Sequence, residues 1–391
     1  MKKIFAILIV AILALSVFSA CNKKEEKITV NVDSLYSGES GAVVDGVKTF
    51  KTINEAVTFL TSEAYSDDVI KTVNLAAGEY KEKVYFPKEL KNVKLFGATD
   101  GVTKISYGDF AGKLDENGNK LTTDYTATVT VYGDGFEAHN VWFDNCFDYF
   151  NPPKGVNDKQ ALAMYCRADM VIFDQCTFTG YQDTLETVSG RQYYYKCKVK
   201  GCVDFIFGNN PSSLFEECDI VTVSRNNSNG GYITAMKGNN GTNGEGIADY
   251  GIVFLNSKFI TEGTVVDGSV AIGRPWRANA TVAVINCELG AHISKVACGY
   301  GLSRYTTMSG GGITNEPRNA RYFEYGNTGA GAISEVLYGQ YFDFSIKKPI
   351  VSETPDFNFL TEEQASKYTK ENIFAKQNGA VTYEKEWNPV I

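Results

Sequence analysis

Asp183, Asp204 and Arg225 follow one another at equal intervals of 21 residues. If successive turns of a regular fold have that length, two carboxylates and a guanidinium stack in one column. Two carboxylates one rung apart cannot both ionise freely, so one takes a raised pKa and serves as an acid while the other stays charged beside a cation. That division of labour suits hydrolysis. Asp204 also sits inside the apolar run Val203-Asp204-Phe205-Ile206-Phe207, where an unpaired carboxylate costs several kcal/mol, on the order of a full desolvation penalty, or takes up a proton. The competing reading is a ladder of aspartates on a solvated turn that binds a cation. The apolar neighbours of Asp204, and Gln182 immediately before Asp183, favour chemistry, because an amide beside an acid supplies donors where an oxyanion could form. Other catalytic classes find little support. Neither of the two histidines, His139 and His292, falls in the column, no serine lies in a G-x-S-x-G elbow, and no cysteine pair has the C-x-x-C spacing of a zinc site. Carboxylates remain as the candidate nucleophile and acid or base. No metal and no cofactor are expected.

The elements that position this column are foreshadowed by a repeat. The segments "WFDNCF", "IFDQCT", "YYKCKV", "LFEECDI", "FLNSKF" and "VINCEL" centre on Cys146, Cys176, Cys197, Cys218, Ser257 and Cys287, at steps of 30, 21, 21, 39 and 30 residues. Each carries Phe143, Phe173, Tyr194, Phe215, Phe254 or Val284 three residues earlier. Self-similarity of variable period above about twenty residues marks a solenoid whose coils share a core and differ in their loops. The runs are short, β-rich and bounded by Gly, Asn or Asp, and predict an all-β, single-stranded parallel β-helix. The cysteines become small inward residues on successive rungs, free or bridged, with free buried thiols favoured for most. Over 51–60, Thr52 and Glu55 form a capping box on a helix whose Ile53, Ala56, Val57 and Leu60 share one face. Such a helix can seal the open end of a solenoid. The tail beyond about Leu337 reads as irregular chain and short helix on the outside.

Of the 391 residues, 1–21 read as an export signal, with Lys2 and Lys3 before an apolar stretch that ends in "FSAC". Its form is that of a bacterial lipoprotein signal cleaved before a lipid-modified Cys21, with a plain secretory signal as the alternative. Residues 22–30 read as a tether and 31–391 as one catalytic unit. The formal net charge of −8 argues against nucleic acid as a partner. The expected location is the cell envelope, lipid-anchored, or alternatively outside the cell. A monomer is expected, touching a membrane only through its anchor.

Several strings, in order, then carry a family likeness: "GEYKEKV" at 78–84, "TATVTVYGDGFEAHNVWFDN" ending at Asn145, "QALA" from Gln160, "GYQDTL" from Gly180, "RQYYYKCKVKGCVDFIFG", "GYITA" from Gly231, "GRPW" from Gly273 and "RYFEYGNTGAGA" from Arg321. Over about 50–332 the chain resembles the pectin methylesterases, carbohydrate esterases built on a right-handed parallel β-helix. The resemblance implies hydrolysis of the methyl esters of homogalacturonan to pectate and methanol. It implies Asp204 as nucleophile and Asp183 as the acid that protonates methanol and then activates water. Gln160 and Gln182 would stabilise the tetrahedral intermediate, and Arg274 would hold Asp204 ionised. Trp276 would face a sugar ring, and Arg225, Thr123, Tyr181 and Phe207 would contribute to substrate binding. The chain departs from the family at Glu186, where a tyrosine is frequent, at Cys202, where threonine is commoner, and at Tyr300 in the place of a tryptophan. These changes bear on subsite preference. Competing readings are a pectate lyase or polygalacturonase on the same architecture, and a non-catalytic solenoid that binds glycans.

Overall fold

The structure is a computed structural model and describes residues 26–63, 65–209, 212–225, 230–238, 247–310 and 313–391. Residues 1–25, with the stretch read as an export signal and Cys21, lie outside the described residues. The chain winds as a right-handed parallel β-helix. Its walls are sheets of 13, 8 and 7 strands, and in the inner part of each wall strand order follows the coils. The largest sheet opens with an antiparallel pair, Ala42–Val44 against Val47–Phe50. Lys27–Val32 pairs in parallel with Ile70–Leu75, so the wall begins inside the segment read as a tether. Val30 and Val32 alternate into the core, where both are buried, and that burial holds the strand.

The cysteine repeat has a physical meaning. Gln175, Lys196, Glu217, Asn256 and Asn286 all have φ between 52° and 53° or close to it, at 50° for Lys196, and each precedes one of Cys176, Cys197, Cys218, Ser257 and Cys287. One left-handed residue per coil turns the chain sharply from the first wall to the second. The small side chain that follows points inward and donates to a carbonyl of an earlier coil. Cys197 Sγ reaches Phe173 O at 3.2 Å, Cys218 Sγ reaches Tyr194 O at 3.3 Å and Ser257 Oγ reaches Phe215 O at 3.1 Å. A short donor is what this rung requires, which is why serine replaces cysteine without loss of pattern. All eight described cysteines are free thiols. The aromatics before them stack through the core, Phe173 on Tyr194 at 5.0 Å, Tyr194 on Phe215 at 4.3 Å and Phe215 on Phe254 at 5.2 Å. Each such contact adds roughly 0.5–1.5 kcal/mol beyond burial.

One anchor of the repeat is misaligned. His139 pairs with Asp174 and Trp142 with Thr177, so the counterpart of Cys176 is Val141, which follows the left-handed Asn140. Cys146 is exposed, and Phe143 stacks on Phe178, 5.3 Å away. The string "WFDNC" mimicked the pattern from the second wall, whose strands also alternate aromatic and polar residues.

Helix α1, Ile53–Ser62, seals the first end with the expected capping box, and its buried residues are Ile53, Ala56, Val57 and Leu60. The Glu82 carboxylate accepts from the N–H groups of Ile53 and Asn54 at 2.8 and 3.0 Å, which satisfies two donors that a helix start leaves open. At the far end the tail carries a hairpin, Gln340–Asp343 with Lys348–Val351, and short helices whose Ile373 and Phe374 pack on Tyr193, Leu214 and Val253 outside the largest wall. Asn358–Phe359 is an exception to the irregular tail, because it adds a last parallel strand to that wall.

Candidate active site

The site lies on the seven-stranded wall, where four consecutive strands concern it: β1, Leu185–Ser189; β2, Val203–Gly208; β3, Gly231–Met236; and β4, Val270–Gly273. Gln182 bridges Val203, and Leu185 pairs with Ile206. Asp183 and Asp204 are therefore neighbours on adjacent coils, with backbones about 4.8 Å apart. Both residues are left-handed, φ 62° and 49°, a conformation that costs about 1–2 kcal/mol for a residue with a side chain. At Asp204 the register of β2 on β3 shifts between Val203 and Ile206. This bulge resolves how a carboxylate can occupy an apolar run. Phe205 and Ile206 both turn into the core while Asp204 is left on the outer side, 5% exposed. Gly201 makes room, since a Cβ there would lie 2.1 Å from Phe205 Cβ.

Arg274, just beyond β4, donates from Nε to Asp204 Oδ1 at 2.8 Å and from Nη2 to Asp204 Oδ2 at 2.5 Å. Its backbone N–H continues the pairing to Thr234 O at 3.0 Å, and the guanidinium carbon lies over the Tyr232 ring, 4.0 Å from its centroid. Gly273 is needed before it, because a Cβ would stand 2.5 Å from Thr234 Oγ1. Burial raises the Asp204 carboxyl, and the fork from Arg274 together with the charge of Arg225 works against that rise. Burial pushes Asp183 well above the ordinary carboxylate range, the charges of Asp204 and Glu186 push it further, and Arg274 and a hydrogen bond from Gln182 oppose. A single proton shared by the pair therefore sits on Asp183. Asp183 Oδ1 has no hydrogen-bond partner.

Gln160 bridges Gln182, so the two residues hold the same position on adjacent coils, one step ahead of Asp183, and Gln160 Oε1 is buried without a partner. Trp276, two residues beyond Arg274, donates its backbone N–H to Met236 O at 2.9 Å, and its ring lies 6.2 Å from that of Phe207. Phe207 itself is 4% exposed and backs Trp276 from below. Tyr181 stacks on Tyr149 at 5.5 Å and meets Phe150 edge-on at 5.0 Å; it borders a cleft of about 720 Å³ on the eight-stranded wall, lined by Trp142, Asp144, Lys200 and Glu262 and not by the aspartate pair. Thr123 opens a short turn, Thr123–Thr126, apart from the pair; its neighbour Asp124 bears on Glu186.

Arg225 does not complete the column. The 21-residue step holds from Gly201 to Thr222, but Val203 pairs with Tyr232, 29 residues on. The extra chain lifts Arg225 onto the connecting loop, where it donates to Gly230 O at 3.3 Å. The position above the carboxylates falls to β3, and Tyr232, beneath the Arg274 guanidinium, is the residue that sequence reasoning passed over. Its signal was present in "GYITA", whose tyrosine follows the glycine that opens β3.

A β-helix that holds one ion-paired and one protonable carboxylate side by side, with two glutamines adjacent, is a solenoid carrying the groups that carboxylate-based hydrolysis requires. The sequence model of the family described as Pectinesterase matches residues 41–340, and the chain belongs to that family. It is 34% identical over 259 residues to a probable pectinesterase A of Neosartorya fischeri, a match that covers 66% of this chain and 70% of the relative. A probable pectinesterase/pectinesterase inhibitor of Arabidopsis thaliana is 33% identical over 290 residues, covering 74% of this chain and 49% of the relative, so the chain spans about half the length of that plant protein. Among solved structures, a mutant pectin methylesterase in complex with a hexasaccharide superposes with a TM-score of 0.70 at 26% identity, covering 90% of this chain and 98% of that one.

Proposed function

We propose that the protein is a pectinesterase that hydrolyses the methyl esters of homogalacturonan, with Asp204 as nucleophile. The observation that carries this reading is the two-pronged grip of Arg274 on Asp204 beside a buried second carboxyl. In the first step an Asp204 oxygen attacks the ester carbonyl carbon. The oxyanion that forms is met by the amide groups of Gln160 and Gln182, preset rather than recruited. Asp183 gives its proton to the departing methoxy group, and methanol leaves an anhydride between the uronate and Asp204. Asp183, now ionised, takes a proton from water as it attacks the uronyl carbon, and release of pectate regenerates both carboxyls.

Support for the substrate comes from Trp276 over Phe207, an aromatic face suited to a sugar ring. The charge of Arg225, which bears on Asp204, supports a role in binding a uronate carboxylate. A lyase would need a free base beside its substrate, whereas Arg274 is engaged by Asp204. The export signal and Cys21 support a lipid-anchored place in the cell envelope, which labelling with a fatty acid analogue and its loss in Cys21→Ser would test. The central experiment is methanol release from highly methylated pectin by the wild type and by Asp204→Asn, with product length followed in parallel. Methanol without chain shortening, lost in the variant, is the expected outcome; unsaturated or shortened products would overturn it.

A further inference from the structure

Glu186 stands three residues beyond Asp183, on the outward side of β1, in register with Tyr165 on the preceding coil and Phe207 on the next. It therefore lies in the row of outward residues that leads from the carboxylate pair to Trp276, which packs on Phe207. It is only 7% exposed, and its Oε2 is buried with no hydrogen-bond partner. The charged and titratable groups around it are Asp183 on its own coil, Asp124 on the turn that covers the strand, Lys237 just past β3 and the Tyr165 hydroxyl. Lys237 also lies 5.5 Å from the Trp276 ring. One cation thus faces three carboxyls, and an oxygen without a partner points to a donor or acceptor that arrives with the substrate.

Resting on the pectinesterase reading, we infer that Glu186 is a specificity residue that makes the groove beside the carboxylate pair favour a methyl-esterified uronate over an ionised one. A neutral ester can take a hydrogen bond from the protonated carboxyl, while a free uronate beside it is tolerated only as long as Glu186 keeps its proton. Burial, with Asp124 adding to it and Lys237 opposing, raises the carboxyl to about 8. Below that pH Glu186 adds no charge beside the pair, and both forms are accepted. Above it, Glu186 ionises and repels a neighbouring uronate, so the enzyme should pass over sites next to earlier products and scatter its cuts. The discrimination should rise with pH, on the order of tenfold, the scale of one close like-charge contact in a partly screened site.

The test is the ratio of kcat/KM for methanol release from highly methylated and from sparsely methylated pectin of equal chain length, at pH 6 and pH 9. Galacturonate is ionised at both, and a ratio within one enzyme cancels the titration of the Asp183–Asp204 pair. The wild type should show a ratio that grows about tenfold from pH 6 to pH 9, whereas Glu186→Gln, a neutral isostere, should show no growth. A wild-type ratio independent of pH overturns the inference without reference to any variant, as does a variant that retains the wild-type dependence. Absence of methanol from both pectins with wild-type enzyme would remove the esterase reading and the inference together.

Discussion

Of the arginine–carboxylate forks among the described residues, which include Arg191 on Asp169 at 2.9 and 2.7 Å, two do contrasting work. Arg304 donates to Glu324 from Nε and Nη2 at 2.6 Å each, and its remaining Nη1 binds Ser294 O and Gly331 O at 3.0 and 2.8 Å. Glu324 also accepts from Tyr305 and Asn327, and the pair is sealed at 0% and 1% exposure. The Arg274–Asp204 fork has the same chemistry, but its arginine side chain is 20% exposed, and a second carboxyl with an unpartnered oxygen lies on the adjoining coil. The first fork is finished by the protein. At the second, open valence and access are left over, and a substrate can complete them. Burial and pairing alone do not mark a site; unfinished pairing at an open surface does.

Removing one partner from each fork should separate these roles most sharply. Asp204→Asn is expected to lower methanol release by about 10⁴-fold or more while the melting temperature stays within a few degrees of wild type. Glu324→Ala should do the reverse, with a stability loss of about 3–5 kcal/mol from a stranded guanidinium and near-normal kcat in whatever fraction remains folded. If the two variants behave alike in both assays, the contrast between the forks fails.

Next in size is Arg274→Lys, expected to reduce kcat by about 10²-fold because a point charge cannot hold both Asp204 oxygens. The same change carries a pH signature. Activity needs Asp204 ionised and Asp183 protonated, so it should fall on the acid side as Asp204 takes a proton and on the alkaline side as Asp183 loses one. Arg274 opposes the burial-driven rise of Asp204, so weakening it should move the acid limb to higher pH and narrow the profile. An unmoved acid limb would assign that limb to another group.

A thermal measurement sharpens the comparison further. The Asp183 carboxyl is raised well above 3.8 in the fold, so the folded state prefers it neutral. Its contribution is fully favourable below the unfolded value and declines as pH rises toward the folded one. Asp183→Asn, which cannot ionise, should therefore melt higher than wild type at pH 8, with the gap closing toward pH 4. The smallest effect is expected from Trp276→Ala, a rise in KM of about tenfold with kcat little changed and the Arg304–Glu324 end undisturbed.

Much of this was legible without coordinates. The aromatic and cysteine pattern from Phe173 to Val284 reports a local environment that each coil repeats, a left-handed turn followed by a small inward donor, and a repeated environment writes a repeated pattern. The capping box at Thr52 and Glu55 was readable for the same reason, since its partners are three residues apart. Asp183 and Asp204 could be placed side by side because the loop between them adds nothing to the 21-residue step. Three features were out of reach. Cys146 imitated the anchor although Val141 fills it; Arg225 left the column because its loop is longer; and Glu186, an ordinary charged residue in the string, is buried with a free oxygen. Local pattern carries the coil, the turn and the chemistry of the aspartates, because those depend on neighbours along the chain. What stands above Asp204, and whether Glu186 meets water or a ring, depends on how far each loop travels before the wall resumes, and only the closed solenoid settles that distance.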